Sequence, residues 1–158
     1  MHLLPLFQSF EASAIGTAVR QSLWLFPVIE CIHLLALSLL GGTVLAVDLR
    51  MLGFGLRSQP SSELVRKLQP WMVGGLLTSI VTGILMLLSE AIKCYYSPPF
   101  WYKMTFLALA TIFTFTVRRI VAHAEPGRFA PALVRLTALV SLALWFGVGF
   151  SGRWIAFY

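Results

Sequence analysis

Charged side chains are scarce in this sequence. They make up 11% of its 158 residues, against roughly 25% in a soluble domain, so the chain lacks the polar surface that a water-facing globule needs. Acids are scarcer still, six against twelve Lys and Arg, which leaves a net charge of +6. That excess does not point to nucleic acid, because the basic residues sit at the ends of apolar runs and form no patch with interleaved aromatics. Only two cysteines occur, Cys31 and Cys94. They fall at different expected depths, so no disulfide framework is expected, and Cys31 reads as a small buried apolar residue. The three histidines, His2, His33 and His123, have no zinc spacing, and the chain carries no nucleotide-binding loop and no nucleophile triad. A basic leader is missing too. Glu11 interrupts the first apolar stretch, whereas Leu3, Phe7, Phe10, Ala14 and Ala18 share one helical face, as in a short helix lying in a membrane interface.

Apolar residues dominate instead: 58% of the chain is hydrophobic and its mean hydropathy is +0.84. A bilayer-spanning helix needs about 20 such residues, and four segments qualify, at about 24–47, 70–92, 101–117 and 131–157. Asp48-Leu49-Arg50 closes the first, and Asp48 and Arg50 are expected to pair locally there. Pro60-Ser61-Ser62-Glu63 reads as the start of a short separate helix, and Pro70 suits the first turn of the second span. Ser97-Pro98-Pro99 precedes the third, which Arg118-Arg119 stop. Glu125-Pro126-Gly127 makes the last turn. The expectation is a single all-α domain over residues 1–158, an integral membrane antiparallel four-helix bundle with a short N-terminal interfacial helix.

Basic residues set the orientation. Arg50, Arg57, Arg66 and Lys67 lie between spans one and two, and Arg118, Arg119, Arg128 and Arg135 around the connection of spans three and four. The other side carries only Arg20, Lys93, Lys103 and Arg153. The positive-inside rule then places both termini outside, which is the periplasm for a bacterial inner membrane. Trp24, Tyr95, Tyr96, Trp101, Tyr102, Trp154 and Tyr158 form an aromatic belt on that side, and Trp71 marks the other.

Ionisable groups inside a span are costly unless they find a partner or water, so they are the first functional candidates. At 100° per residue, Glu30, His33, Leu37, Gly41, Val44 and Asp48 share one face of the first helix, which should turn toward protein. Gly75, Ser79, Gly83, Met86 and Glu90 form a matching stripe on the second. Its small residues suit either close helix–helix approach or space for a flat cofactor. Counting from the outer belt puts His33, Thr82, Gly83, Leu109–Thr111 and Trp145 in one layer, with Glu30, Glu90, Lys103 and Arg153 nearer the outside. His33 can ligate iron or another metal, or move protons, with Glu30 orienting it. Lys103 and Arg153 would face the propionates of a haem on His33, and otherwise snorkel to headgroups. His123 is at the wrong depth to share an iron, so a second axial ligand would have to be Met86, Met104, water or a residue of another subunit.

The run Trp24-Leu25-Phe26-Pro27-Val28-Ile29-Glu30-Cys31-Ile32-His33, with Gly41-Gly42, Asp48-Leu49-Arg50-Met51-Leu52-Gly53 and the ending Ser151-Gly152-Arg153-Trp154-Ile155-Ala156, resembles a family of small bacterial four-span membrane proteins, a domain of unknown function. The resemblance covers nearly the whole chain. It implies a bacterial inner-membrane location and a four-helix fold, and no activity. From the residues themselves three functions are expected in turn. The first is a small membrane redox subunit holding b-type haem or quinone near His33, with cofactor contacts from Glu30, Lys103, Arg153, Trp145 and Met86, that passes electrons between the quinone pool and a periplasmic partner. The second is a structural or assembly subunit, and the third a proton or metal-ion transport component using Glu30, His33 and Glu90. Short loops imply that its partners are the lipid bilayer and another membrane or periplasmic subunit, or a second copy of the chain.

Overall fold

The structure is a computed structural model, and it describes residues 3–54, 61–124 and 127–157. Arg57, Pro60, the Glu125-Pro126 part of the expected turn, Tyr158 of the belt and His2 lie outside them. The described residues form helices and no strand: α1 (Leu4–Glu11), α2 (Ala14–Gln21), α3 (Leu25–Leu52), α4 (Ser61–Ser89), α5 (Ala91–Tyr96), α6 (Pro98–His123) and α7 (Pro131–Trp154). The helices α3, α4, α6 and α7 are long and apolar enough to cross a membrane. The protein is a multi-pass membrane four-helix bundle.

Each helix begins and ends where local chemistry dictates. Pro98 and Pro131 open α6 and α7, where a missing N–H costs nothing. Gly53 ends α3 in the left-handed conformation, φ 92°, and the amides of Gly53 and Phe54 bond back to Arg50 and Leu49. Three boundaries differ from the sequence reading. The helix expected to start near residue 60 and the second span are one continuous α4, with Pro70 inside it. Arg66, whose carbonyl loses its donor to that proline, is exposed, so the freed carbonyl does not have to be satisfied inside the core. Arg118-Arg119 do not stop α6, which continues to His123 through a π-helical turn at Thr114–Arg118. Finally, α7 gives way at Ile155 to a short 3₁₀ turn, Ile155–Phe157.

In the bundle, α3 lies along α4 and also meets α7, α6 lies along α7, and α4 reaches α6 mainly at its last turn. The buried positions of α3 are His33, Ala36, Leu40, Thr43, Val44, Val47, Asp48 and Met51, a single helical stripe. Glu30 is not on it. Toward the start of α3 the covered side runs through Ile29 and Phe26, and Glu30, one residue on from Ile29, is turned out and exposed. Cys31 is also on the exposed face rather than buried. The small-residue stripe of α4 does form a seam. A Cβ on Gly75 would stand 3.1 Å from both the Ala36 carbonyl oxygen and the Leu40 nitrogen, so the backbones of α3 and α4 touch there.

The N-terminal segment is not one interfacial helix but two, and both dock on the bundle. Phe7 is buried among Phe10, Tyr95, Phe100 and Trp101. Ser13 caps α2 by accepting from the Gly16 amide. Glu11 and Arg20 form an ion pair of 3.1 Å and clasp the break between α4 and α5. The Glu11 carboxylate accepts from the Ile92 amide at the start of α5 (2.7 Å), and the Arg20 guanidinium donates to the Ser89 carbonyl at the end of α4 (3.4 Å). Each charge thus meets the helix end whose dipole it complements.

Gly16 faces Leu88 so closely that a Cβ there would overlap the Leu88 carbonyl oxygen. Gly16→Ala is expected to lower the thermal midpoint of the purified protein by the equivalent of about 1–3 kcal/mol. Gly74→Ala, with open space around it, should not; equal midpoints for the two variants would contradict the docking of α2. Burial, reinforced by Glu90, pushes the Cys94 thiol up to about 11. A thiol with a raised pKa is neutral below it, so alkylation of Cys94 should speed up about tenfold per pH unit from 8 to 10. A rate already constant above pH 9 would contradict that burial.

Candidate functional site

Two polar layers lie inside the bundle, one near the end that carries the termini and one toward the opposite, loop end. His33 is the centre of the first. Only 7% of it is exposed, and its ring packs on Gly83, where a Cβ would come to 3.4 Å from Cε1. The sequence reading of a Glu30–His33 pair is corrected here: Glu30 is exposed, and the partner of the His33 ring is Thr82, whose Oγ1 is 2.8 Å from Nδ1. Thr82 has one hydroxyl proton, and it points to the Thr78 carbonyl at 2.7 Å, with that of Ser79 at 3.3 Å. That leaves the oxygen free to accept from His33 Nδ1 in the tautomer that carries its proton there, and the ring also meets the Ser79 backbone. With the proton on Nδ1, the lone pair of a neutral ring sits on Nε2.

Lys103 is the other ionisable group of this layer. Its side chain lies on Gly152, with Nζ 3.6 Å from the position of a Cβ there, and it is close enough to His33 and Cys94 for the charges to interact. The remaining candidates are not gathered around His33. Arg153 is exposed, its guanidinium 5.6 Å from the Phe157 ring centre. Glu90 is exposed and loosely paired with Lys93 at 3.9 Å. Met86 is half-buried one turn beyond Thr82, and Met104 packs in the Phe7–Phe100 cluster at the end of the bundle. Trp145 is deeper than expected. Its indole donates to Thr114 (3.0 Å) and it packs on Leu40, Val44, Met72 and Leu76, about two turns along α3 from His33. Equal counts from the outer belt failed for Trp145 because helix ends in a bundle need not be level. Among the described residues no group of three His, Cys, Asp or Glu converges as a metal site.

The second layer was missed. Asp48 is wholly buried and Arg118 is 2% exposed. Arg118 Nε donates to Asp48 Oδ1 at 2.6 Å, Nη2 to the Val44 carbonyl at 3.2 Å, and Nη1 faces the Met72 sulfur at 3.9 Å. Ser141 donates to the other carboxylate oxygen, Oδ2, at 2.6 Å. Asp48 thus pairs across the bundle with α6 and α7, where the sequence reading paired it with Arg50. The sequence did carry a signal: an acid ending the first span and a base ending the third fall at one level. Reading Arg118-Arg119 as a stop hid it, since the π turn that carries α6 onward has no signature in the residues.

Removing one partner of a buried pair strands the other charge and costs about 3–5 kcal/mol, whereas an apolar replacement of both costs far less. Asp48→Leu and Arg118→Leu should each melt well below the parent protein, and the double variant should recover most of the loss. Additive losses in thermal melts would show that the two side chains act independently.

No curated protein and no solved structure matches the chain. A family model described as a family of unknown function, DUF6644, matches residues 8–158, in keeping with the uncharacterised family that the first helix and the C-terminus resemble. The match runs over nearly the whole chain, and the protein belongs to the DUF6644 family of unknown function.

Proposed function

We propose that this protein is a small membrane redox subunit that holds a quinone or a b-type haem at His33 and passes electrons to a partner on the side of the termini. The observation that carries the reading is the buried His33 ring held by Thr82, with Oγ1 2.8 Å from Nδ1. In the tautomer that donates from Nδ1 to Thr82, Nε2 offers a lone pair, which can accept from a quinol hydroxyl or ligate iron. Lys103 supplies a donor of positive charge in the same layer, suited to a quinone carbonyl or a propionate. The quinone needs only these two groups. A haem would take His33 as one axial ligand and its second from Met86, Met104, water or another subunit, since His123 is at the far end of α6. Bound there, either group would supply the electron-transfer chemistry; the chain's own part is to orient the imidazole and place the ammonium. The excess of Lys and Arg at the loop end supports an orientation with both termini outside, in the bacterial inner membrane that the family resemblance implies.

A proton or ion relay through Glu30, His33 and Glu90 has less support, because both glutamates are exposed. Leu40, Val44 and Leu76 also pack between the His33 layer and the Asp48 layer.

The reading is tested on detergent-purified protein by its oxidised and dithionite-reduced spectra and by quinone analysis of its lipid extract. Stoichiometric haem or quinone is expected, strongly depleted in His33→Ala and retained with an altered spectrum or affinity in Thr82→Val. A folded protein that carries neither would refute it.

A further inference from the structure

Beside the Asp48–Arg118 pair, at the loop end and away from His33, lies a cavity of about 20 Å³ between α3, α4 and α6. Its polar wall is made by Thr43, Gln69, Thr114, Arg118 and Arg119, the last exposed to solvent, with Met72 alongside. We infer that this cavity is a binding site for a single internal water molecule, held by the Arg118 guanidinium.

A guanidinium has five N–H donors and no acceptor. The bonds to Asp48 and the Val44 carbonyl and the approach to Met72 use three of them, and a thioether sulfur at 3.9 Å is a poor acceptor. Arg118 is 2% exposed, so its other donors have no bulk solvent, and a buried donor without an acceptor costs about 1–3 kcal/mol. The site offers acceptors as well as donors to an incoming molecule. The hydroxyl proton of Thr43 is spent on the Leu40 carbonyl at 2.8 Å, leaving its oxygen to accept. Volume and charge then choose the ligand. A water needs at least about 10–15 Å³ and two to four polar partners, which this cavity provides. It is too small for a polyatomic anion, and Asp48 already neutralises Arg118. The water completes a cluster that joins α3, α4, α6 and α7 at one level.

X-ray hydroxyl-radical footprinting of the full chain in detergent tests this, because radicals form from water in place and oxidise the sulfur next to it. Met72 lines the cavity and Met51 does not, while their exposures are nearly equal at 7% and 6%. Oxidation of Met72 several-fold faster than that of Met51 is expected; equal rates, or a faster Met51, would overturn the site. A structure at a resolution that shows ordered water gives the direct reading. A water within hydrogen-bond distance of an Arg118 N–H supports the inference, and a dry or side-chain-filled cavity sinks it.

Discussion

The Asp48–Arg118 ion pair is the constraint on which the rest of the bundle depends. Two charges with almost no exposed surface are each costly in hydrocarbon. They are tolerable only while both are in place and their remaining lone pairs and protons are satisfied. That requirement fixes the rotation of α3, which must present Asp48 inward, and of α6, which must present Arg118 at the same level. It also fixes α7 through Ser141. Without a hydrophobic force between helices in lipid, such directed contacts specify which helix faces which. The Leu40–Leu76 cluster and the Gly75 seam fill the space around the pair.

Much of this was legible from residue order. Four apolar runs, the proline openings of α6 and α7, and the inward stripe of α3 at His33, Val44 and Asp48 follow from composition and a 3.6-residue period. What was not legible has physical causes. Glu30 shares an ideal helical face with His33, but the covered side drifts toward Ile29 near the start of α3, where fewer helices surround it. Arg118 looks like a terminator because an arginine at a span end usually is one; only its partner on another helix makes it an interior residue. Pro70 looks like a start because the linear pattern does not say whether the carbonyl it frees is covered. Thr82 was placed at the depth of His33, but no periodicity says that its hydroxyl faces the ring.

The two polar layers are built differently, and the contrast bears on function. Asp48 is held from several sides by groups of fixed geometry, and a change there is felt as stability. His33 has one side-chain partner, a glycine against its ring and the Lys103 ammonium in the same layer. With the proton on Nδ1, the other ring nitrogen keeps a lone pair, and chemistry needs such an atom. Apolar side chains, Leu40, Val44 and Leu76, pack between the layers.

The clasp made by Glu11 and Arg20 has a consequence in time. Both residues leave the ribosome early, yet the groups they hold come much later in the chain: Ile92 follows Glu11 by 81 positions, and Ser89 follows Arg20 by 69. The first two helices therefore have nothing to close upon until the second span is made and its end turned. Their docking records that both of the first two spans have crossed, because only then does α4 arrive with its C-terminal carbonyls beside α2. A chain in which only one of these two spans had crossed would leave Glu11 and Arg20 on one face of the membrane and the helix ends they complement on the other.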